Sequence, residues 1–318
     1  MPLSYTEYLI GTFFFIIERN TPMAEKYKRK WGDRRDARLV HDMTGLNVIM
    51  SHMMPNRTDN EVFFQGEFDL TDLMAYISKK NEEHPNYKTT VFHCIVFAVA
   101  KMINERPKMN RFIQGRRTYE RYEISMSFMA KRRFSDGAEE AFMMIVPKDE
   151  DTLDTVSHRI YGDVQEARKS EHATGGIDAV VDGFAKIPRL LLMLIARIVR
   201  WLDFWGINPK ALTDGDANYS SVLLSNLGSI QCPSVYHHLN NYGSNSFMIT
   251  VGTIHKEERI MPDGTKQLRD IVDIGATLDE RIADGFYFAR SLKVVNYLFA
   301  NPELLERPFS ENSGFTYE

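Results

Sequence analysis

Two cysteines, Cys94 and Cys232, are all that 318 residues contain, so neither a disulfide framework nor a thiolate metal cluster is available. That suits a reducing cytoplasm. Long hydrophobic runs are scarce too. Tyr8 to Ile17 is uncharged and apolar, but it falls short of the roughly 20 residues a bilayer span needs. No basic stretch precedes it to make a signal peptide, and it reads as a docking helix or arm, with a membrane-contacting segment as the alternative. Charge is nearly balanced, with 39 Lys and Arg against 43 Asp and Glu and a formal net charge of −4, which argues against nucleic acid as a partner. A basic run, Lys26, Lys28, Arg29, Lys30, Arg34, Arg35 and Arg38, reads as a solvated segment rather than a site for phosphate or anionic lipid. No Gly-rich phosphate loop and no repeated strand-helix-strand rhythm occurs, which argues against a dinucleotide-binding domain, and no metal site is evident.

What remains is a chain rich in core formers, 43% hydrophobic and 12% aromatic, enough for one large domain. Glu61 to Leu70 alternates, placing Val62, Phe64 and Phe68 on one side of a half-buried strand. Thr71 is placed to cap a helix running from Asp72 to about His84, where Pro85 stops it. A strongly apolar helix covers Thr90 to Arg106, with His93 in its core. Tyr122 to Ala130 and Ala141 to Val146 read as strands joined by Ser135-Asp136-Gly137. Thr152 to Arg168 reads as a polar helix, followed by a loop at Ala173 to Gly176. Strands at Tyr219 to Asn226, Ser246 to His255 and Leu268 to Leu278 dominate the last third, with Pro262-Asp263-Gly264 turning the final pair. A helix from Asp284 to about Phe299 closes the chain. This order predicts an α+β fold around one mixed or antiparallel sheet.

Two short stretches carry the chemistry. Ser225-Asn226-Leu227-Gly228-Ser229 ends one predicted strand, and Leu278-Asp279-Glu280-Arg281-Ile282-Ala283-Asp284-Gly285-Phe286 follows another about fifty residues later. The pair resembles the active-site motifs of chloramphenicol acetyltransferases and of the catalytic domains of 2-oxo acid dehydrogenase dihydrolipoyl acyltransferases. There a Ser-Asn-Leu-Gly strand precedes an Asp-His-Arg-x-x-Asp-Gly turn at similar spacing. The resemblance covers roughly residues 57–305, including the Phe68-Asp69-Leu70-Thr71 strand-to-helix entry and the closing Ala300 to Leu305. It implies a two-layer sandwich with a mixed sheet and helices packed on one face. It divides the chain into an N-terminal arm, 1–56, and an acyltransferase-like domain, 57–318, with an amphipathic helical insertion at about 177–210.

The resemblance also implies roles. A histidine acts as general base on the acceptor, and a serine hydroxyl stabilises the oxyanion, the two coming from different subunits of a trimer. Carried over, the oxyanion donor is Ser225, and Asp284, beside Gly285, is a structural aspartate paired with Arg57, while the histidine position holds Glu280. Glutamate is ordinarily ionised far below neutral pH and serves as a base near pH 7 only when an apolar channel raises its pKa. The competing role for Glu280 is an ion pair, with Arg281 or across an interface, in a fold without catalysis. His238, His237 and His255 are alternative bases, and Asn226 serves to orient backbone or substrate, or a turn. The implied substrates are acyl-coenzyme A and a thiol, hydroxyl or amine acceptor, with no metal, in a cytoplasmic homotrimer or multiple of trimers. The N-terminal segment is too short for a lipoyl domain. The alternative is a silent trimeric scaffold that docks a partner or membrane.

From Gly183 to Trp205 the chain is strongly amphipathic. At about 100° per residue, Lys186, Arg189, Arg197 and Arg200 fall on one face and Leu190, Leu191, Leu194, Ile195, Ile198, Trp201, Leu202 and Trp205 on the other. Its charges exclude a simple membrane span. A helix packed on the sheet or a neighbouring subunit, a lid over an acyl channel, and a membrane-surface or protein contact through residues 184–205 all fit this pattern.

Overall fold

The structure is a computed structural model that describes residues 29–83, 87–131, 140–169, 187–207, 213 and 215–317. The apolar run at Tyr8 to Ile17, Lys26 and Lys28, the turn at 135–137, the loop at 173–176 and Lys186 lie outside the described residues. Six strands form one mixed sheet in the order β2 (Glu61–Asp69), β9 (Lys266–Asp279), β8 (Phe247–Ile260), β7 (Val222–Asn226), β5 (Met126–Lys131) and β6 (Glu140–Ile145). β7 runs parallel to both β8 and β5, and the remaining pairs are antiparallel. A separate three-stranded sheet, β1 (Ala37–Leu39), β4 (Arg117–Arg121) and β3 (Arg111–Gln114), flanks it.

The sheet buries one face under helices α2 (Thr71–Glu83), α3 (Val91–Glu105), α4 (Leu153–Lys169) and α6 (Gly285–Ala300). The alternation in β2 holds for Phe64 and Phe68, which meet Phe288 and Phe299 edge to face, whereas Val62 is exposed. α3 is the central helix, and every residue from Cys94 to Ile103 is buried. Thr90 caps it in a capping box whose second half is unusual. The His93 Nδ1 accepts from the Thr90 backbone N–H at 3.4 Å, while His93 N–H donates to Thr90 Oγ1 at 3.3 Å. Lys101 lies within that core. Its Nζ donates to the carbonyls of Pro308 and Glu311, each at 2.8 Å, and so ties the C-terminal tail to α3.

Three expectations need correction. Thr71 does not cap α2. Asp69 Oδ1 accepts the Thr71 N–H at 2.9 Å, and the Thr71 hydroxyl instead accepts from the Asp270 N–H on β9, because a two-residue reach suits the shorter Asx turn. Nor is the basic run uniformly solvated. Arg34 is buried over the rings of Phe112 and Tyr119, with its Nε donating to Asp36 at 3.1 Å, so its charge is paired and stacked. Finally, the strand expected from Tyr122 begins only at Met126. Residues 122–125 instead link it to the β3–β4 hairpin, whose tight turn at Gly115 and Arg116 takes positive φ at both positions, 55° and 63°.

The described residues of the amphipathic segment form one helix, α5 (Arg189–Phe204). It is attached through one narrow side. Asp203 is buried and accepts from Gln114 Nε2 and from the Tyr219 hydroxyl, while Ile195, Val199 and Leu202 are half-buried. A Cβ on Gly115 would come within 2.2 Å of the Phe204 carbonyl, so the hairpin turn admits the last helical turn only as glycine. Gly206, at φ 74°, then stops the helix. The other early helix, α1 (Gly45–Met53), is capped by Thr44.

Candidate active site

β9 ends at Asp279, and the turn that follows is clamped from below. Arg281 donates from Nε to Asp279 Oδ1 at 2.8 Å and from Nη2 to Oδ2 at 2.6 Å, a bidentate pair buried on both sides. Its remaining nitrogen reaches the carbonyls of Met54 at 2.9 Å and Pro55 at 3.3 Å. Arg57 approaches the same carboxylate from the other side, 3.9 Å from Nε to Oδ2. The Arg57 guanidinium also donates to the carbonyls of Asn240 (2.6 Å), Ile113 (3.1 Å) and Gly243 (3.0 Å). Burial pulls the Arg57 pKa below its ordinary value, and the Asp279 charge opposes that pull.

This geometry changes one expected pairing. Arg57 meets Asp279, not Asp284, because it stands four residues before Glu61, the residue directly opposite Asp279 in the β2–β9 register. Asp284 is exposed and instead caps α6, accepting the Tyr287 N–H at 2.8 Å. Gly285 begins that helix. Arg281 is likewise committed to Asp279 and is not the partner of Glu280.

Glu280 is therefore held by its neighbours and itself exposed. Its N–H donates to the Asn60 carbonyl at 3.0 Å, between the buried side chains of Asp279 and Arg281, and its carboxylate projects outward. Beside it runs the 237–243 segment, tied down where the Leu239 N–H donates to the Glu61 carboxylate and where Asn241 Oδ1 accepts from Arg57 N–H at 2.7 Å. His237 and His238 stand exposed on that segment, their rings stacked at 4.7 Å. His255 is exposed on β8, opposite Ile271 of β9.

Ser225 lies near the C-terminal end of β7, half-buried, opposite Thr250 on β8. Asn226 shapes the turn behind it, accepting from the Ser229 N–H at 3.3 Å and the Ser229 hydroxyl at 2.8 Å. Close backbone approach is built in here. A Cβ on Gly228 would meet the Gly252 carbonyl at 2.5 Å, and one on Gly275 would meet the Val235 carbonyl at 2.7 Å. Thr253 and Thr250 fasten the 232–235 segment across β8 by donating to the Cys232 and Val235 carbonyls. The sheet face near Ser225 is thus roofed by chain that only glycine allows so near.

The register separates the two motif residues. Ser225 pairs with Thr250, Thr250 with Gly275, and Glu280 lies five residues farther along β9, two strands away. At ~3.3 Å per residue and ~4.8 Å per strand, that is ~19 Å within one chain. A reacting atom needs each group within ~3 Å. One chain's Ser225 and Glu280 do not converge on a common atom.

A second polar group fills the Asp279 end of the sheet, just before β7 and β8 begin. Arg121 donates to the Ser244 carbonyl and, at 3.0 Å, its hydroxyl, and Ser221 Oγ donates to Asn110 Oδ1 at 2.6 Å. Burial pushes the Arg121 pKa down to about 9. Sequence reading missed this group because each member, taken singly, looks like a surface residue. Among the described residues no cluster of His, Cys, Asp and Glu is arranged to hold a metal ion.

Residues 207–306 match the family model for the 2-oxoacid dehydrogenases acyltransferase (catalytic domain). A probable dihydrolipoamide acetyltransferase from Listeria monocytogenes 4b F2365 is similar at 19% identity and a TM-score of 0.55, with 86% of this chain and 96% of that chain covered. The dihydrolipoamide acetyltransferase of Azotobacter vinelandii, studied for a serine, a histidine and an asparagine in its catalytic mechanism, is similar at 14% identity and a TM-score of 0.55, covering 90% and 97%. A truncated catalytic core of the 2-oxoacid dehydrogenase multienzyme complex from Thermoplasma acidophilum gives 15% and 0.52, covering 83% and 98%. A search of curated proteins finds no match. At these identities the likeness establishes the fold, which is the two-layer α+β fold of acyltransferase cores.

Proposed function

We propose that the protein transfers an acyl group between coenzyme A and a thiol, hydroxyl or amine acceptor, at sites shared by neighbouring subunits of a homotrimer or a multiple of trimers. The observation that carries this reading is the ~19 Å strand-register separation of Ser225 from Glu280 on an acyltransferase-core fold. Each motif is well placed by its own strand, and only a second copy brings the two together. The Azotobacter and Thermoplasma relatives, a dihydrolipoamide acetyltransferase and a multienzyme core, support such an assembly. The two free cysteines and the absence of any disulfide framework suit work in the cytoplasm.

In this site Glu280 of one subunit, covered on assembly by the next, takes the proton from the acceptor as its heteroatom attacks the thioester carbonyl. The Ser225 hydroxyl of the next subunit donates to the oxyanion. Collapse of the tetrahedral adduct breaks the carbon–sulfur bond, and the coenzyme A thiolate recovers the proton from Glu280. Asp279, Arg281 and Arg57 hold the turn from which Glu280 projects, Asp284 and Gly285 start the next helix, and Asn226 sets the turn behind Ser225. His238 and His237 are the bases in reserve, since their segment is fastened beside Glu280 through Glu61; His255, out on β8, is the most distant of the three.

The test is thiol release from a panel of acyl-coenzyme A donors with simple acceptors. Glu280→Gln should lower turnover by ~10²–10⁴-fold and Ser225→Ala by ~10²–10³-fold. Unchanged turnover in both variants would overturn the assignment. The exposure of Glu280 favours a second reading, a silent scaffold. It predicts no release by the natural protein and release gained only in Glu280→His.

A further inference from the structure

Helix α5 buries little of its surface against the other described residues. Ile195, Val199, Leu202 and Asp203 face the body, and the arc beside them carries Leu190, Leu194, Ile198, Trp201 and Trp205, all exposed. Trp201 is 60% and Trp205 62% exposed. A free row of this size is costly in water, because burying apolar surface is the main driving force of association.

The polar edge of the same helix says what covers that row. Arg189, Arg197 and Arg200 are exposed along one side, and the helix's single carboxylate, Asp203, is buried against Gln114 and Tyr219. α5 therefore presents apolar surface bordered by positive charge with no exposed acid of its own. Paired indoles crowd its C-terminal end, with Trp201 and Trp205 centroids 6.5 Å apart. Indoles and arginine heads both favour the boundary between headgroups and acyl chains. Among the described residues no helix is long and apolar enough to cross a membrane, so a helix of this kind lies in the interface.

We infer that α5 docks the protein on a bilayer surface bearing anionic headgroups, with Leu190, Leu194, Ile198, Trp201 and Trp205 in the acyl boundary and Arg189, Arg197 and Arg200 on the headgroups. The inference does not rest on acyl transfer, because none of these residues belongs to the proposed site. The rigid seat at Gly115 and Asp203 fixes the direction in which the apolar row faces.

Flotation of the full chain with phosphatidylcholine vesicles, with and without phosphatidylglycerol, tests it. Binding is expected to the anionic vesicles at low salt and to weaken at high salt. Arg197→Gln and Arg200→Gln should each lower partitioning about fivefold, and Leu194→Asp with Ile198→Asp should abolish it. In a Trp31→Phe background the emission of Trp201 and Trp205 should shift to the blue on binding. All these variants should keep the thiol-release rate of the natural protein on soluble substrates, whatever that rate is. Flotation that survives Leu194→Asp with Ile198→Asp would overturn the inference, as would absence of binding to anionic vesicles. It would equally fall if that variant lowered the oligomeric state in light scattering, since the row would then belong to a second copy.

Discussion

If the site is shared, two inactive variants should restore each other. Ser225→Ala removes the oxyanion donor and Glu280→Gln the base, so each alone retains on the order of 1% of turnover or less. Within a chain the two positions lie ~19 Å apart by strand register, so each site must draw them from different subunits. In trimers assembled at random from equal amounts, a site receives an intact Ser225 half the time and an intact Glu280 half the time. About one site in four is then whole, by the cyclic symmetry of the assembly. The mixture, made by co-expression or joint refolding, should reach about a quarter of the natural rate of thiol release, at least ~25 times either parent. Mixing preformed trimers without exchange should give only the parental mean. If co-assembled protein also gives only that mean, Ser225 and Glu280 do not act at one site and the mechanism is wrong.

Stability offers two independent checks. Burial holds the His93 pKa down to about 4, against an ordinary 6.5, and its Nδ1 must stay unprotonated to accept the Thr90 N–H. The unfolded chain binds the proton first, so this contribution is complete above about pH 6.5 and falls away towards pH 4, by up to ~3 kcal/mol. Urea unfolding of His93→Gln, which can still complete the capping box, should show a smaller loss between pH 7 and 4.5 than the natural protein; an identical loss would exclude His93 as a source. Asp279→Asn leaves Arg281 and Arg57 buried without their shared anion and should cost about 3–5 kcal/mol, whereas Glu280→Gln, at an exposed position, should stay within ~0.5 kcal/mol. Equal effects of the two in thermal unfolding would contradict the clamp.

The strands and helices that bury one face were plain in the sequence, because period-2 alternation in β2 and the long apolar run of α3 are imposed by the core itself. The β3–β4 hairpin was not, since Arg111, Glu120 and Arg121 break the apolar pattern while being paired across the hairpin or with partners distant in sequence. The motif pair led to Ser225 and Glu280, yet spacing alone could not tell which aspartate faces Arg57. That depends on the β2–β9 register, which sets Glu61 opposite Asp279 and leaves Asp284 free to cap α6. Similarly, the wheel of α5 identified its apolar side, but not that Asp203 and Gly115 would seat the helix with Ile195 and Leu202 inward and the rest of that side open.

Lys101 bears on where this domain can be cut. The match to the acyltransferase family stops at residue 306, and an engineer trimming the gene by that boundary would discard Pro308 and Glu311, whose carbonyls hold the ammonium inside α3. The lysine would then sit bare in the centre of the most buried helix, and Phe309, only 3% exposed, would leave its socket empty. Shortened versions ending near 306 should consequently come out insoluble or protease-sensitive, and affinity tags at that end belong beyond Tyr317.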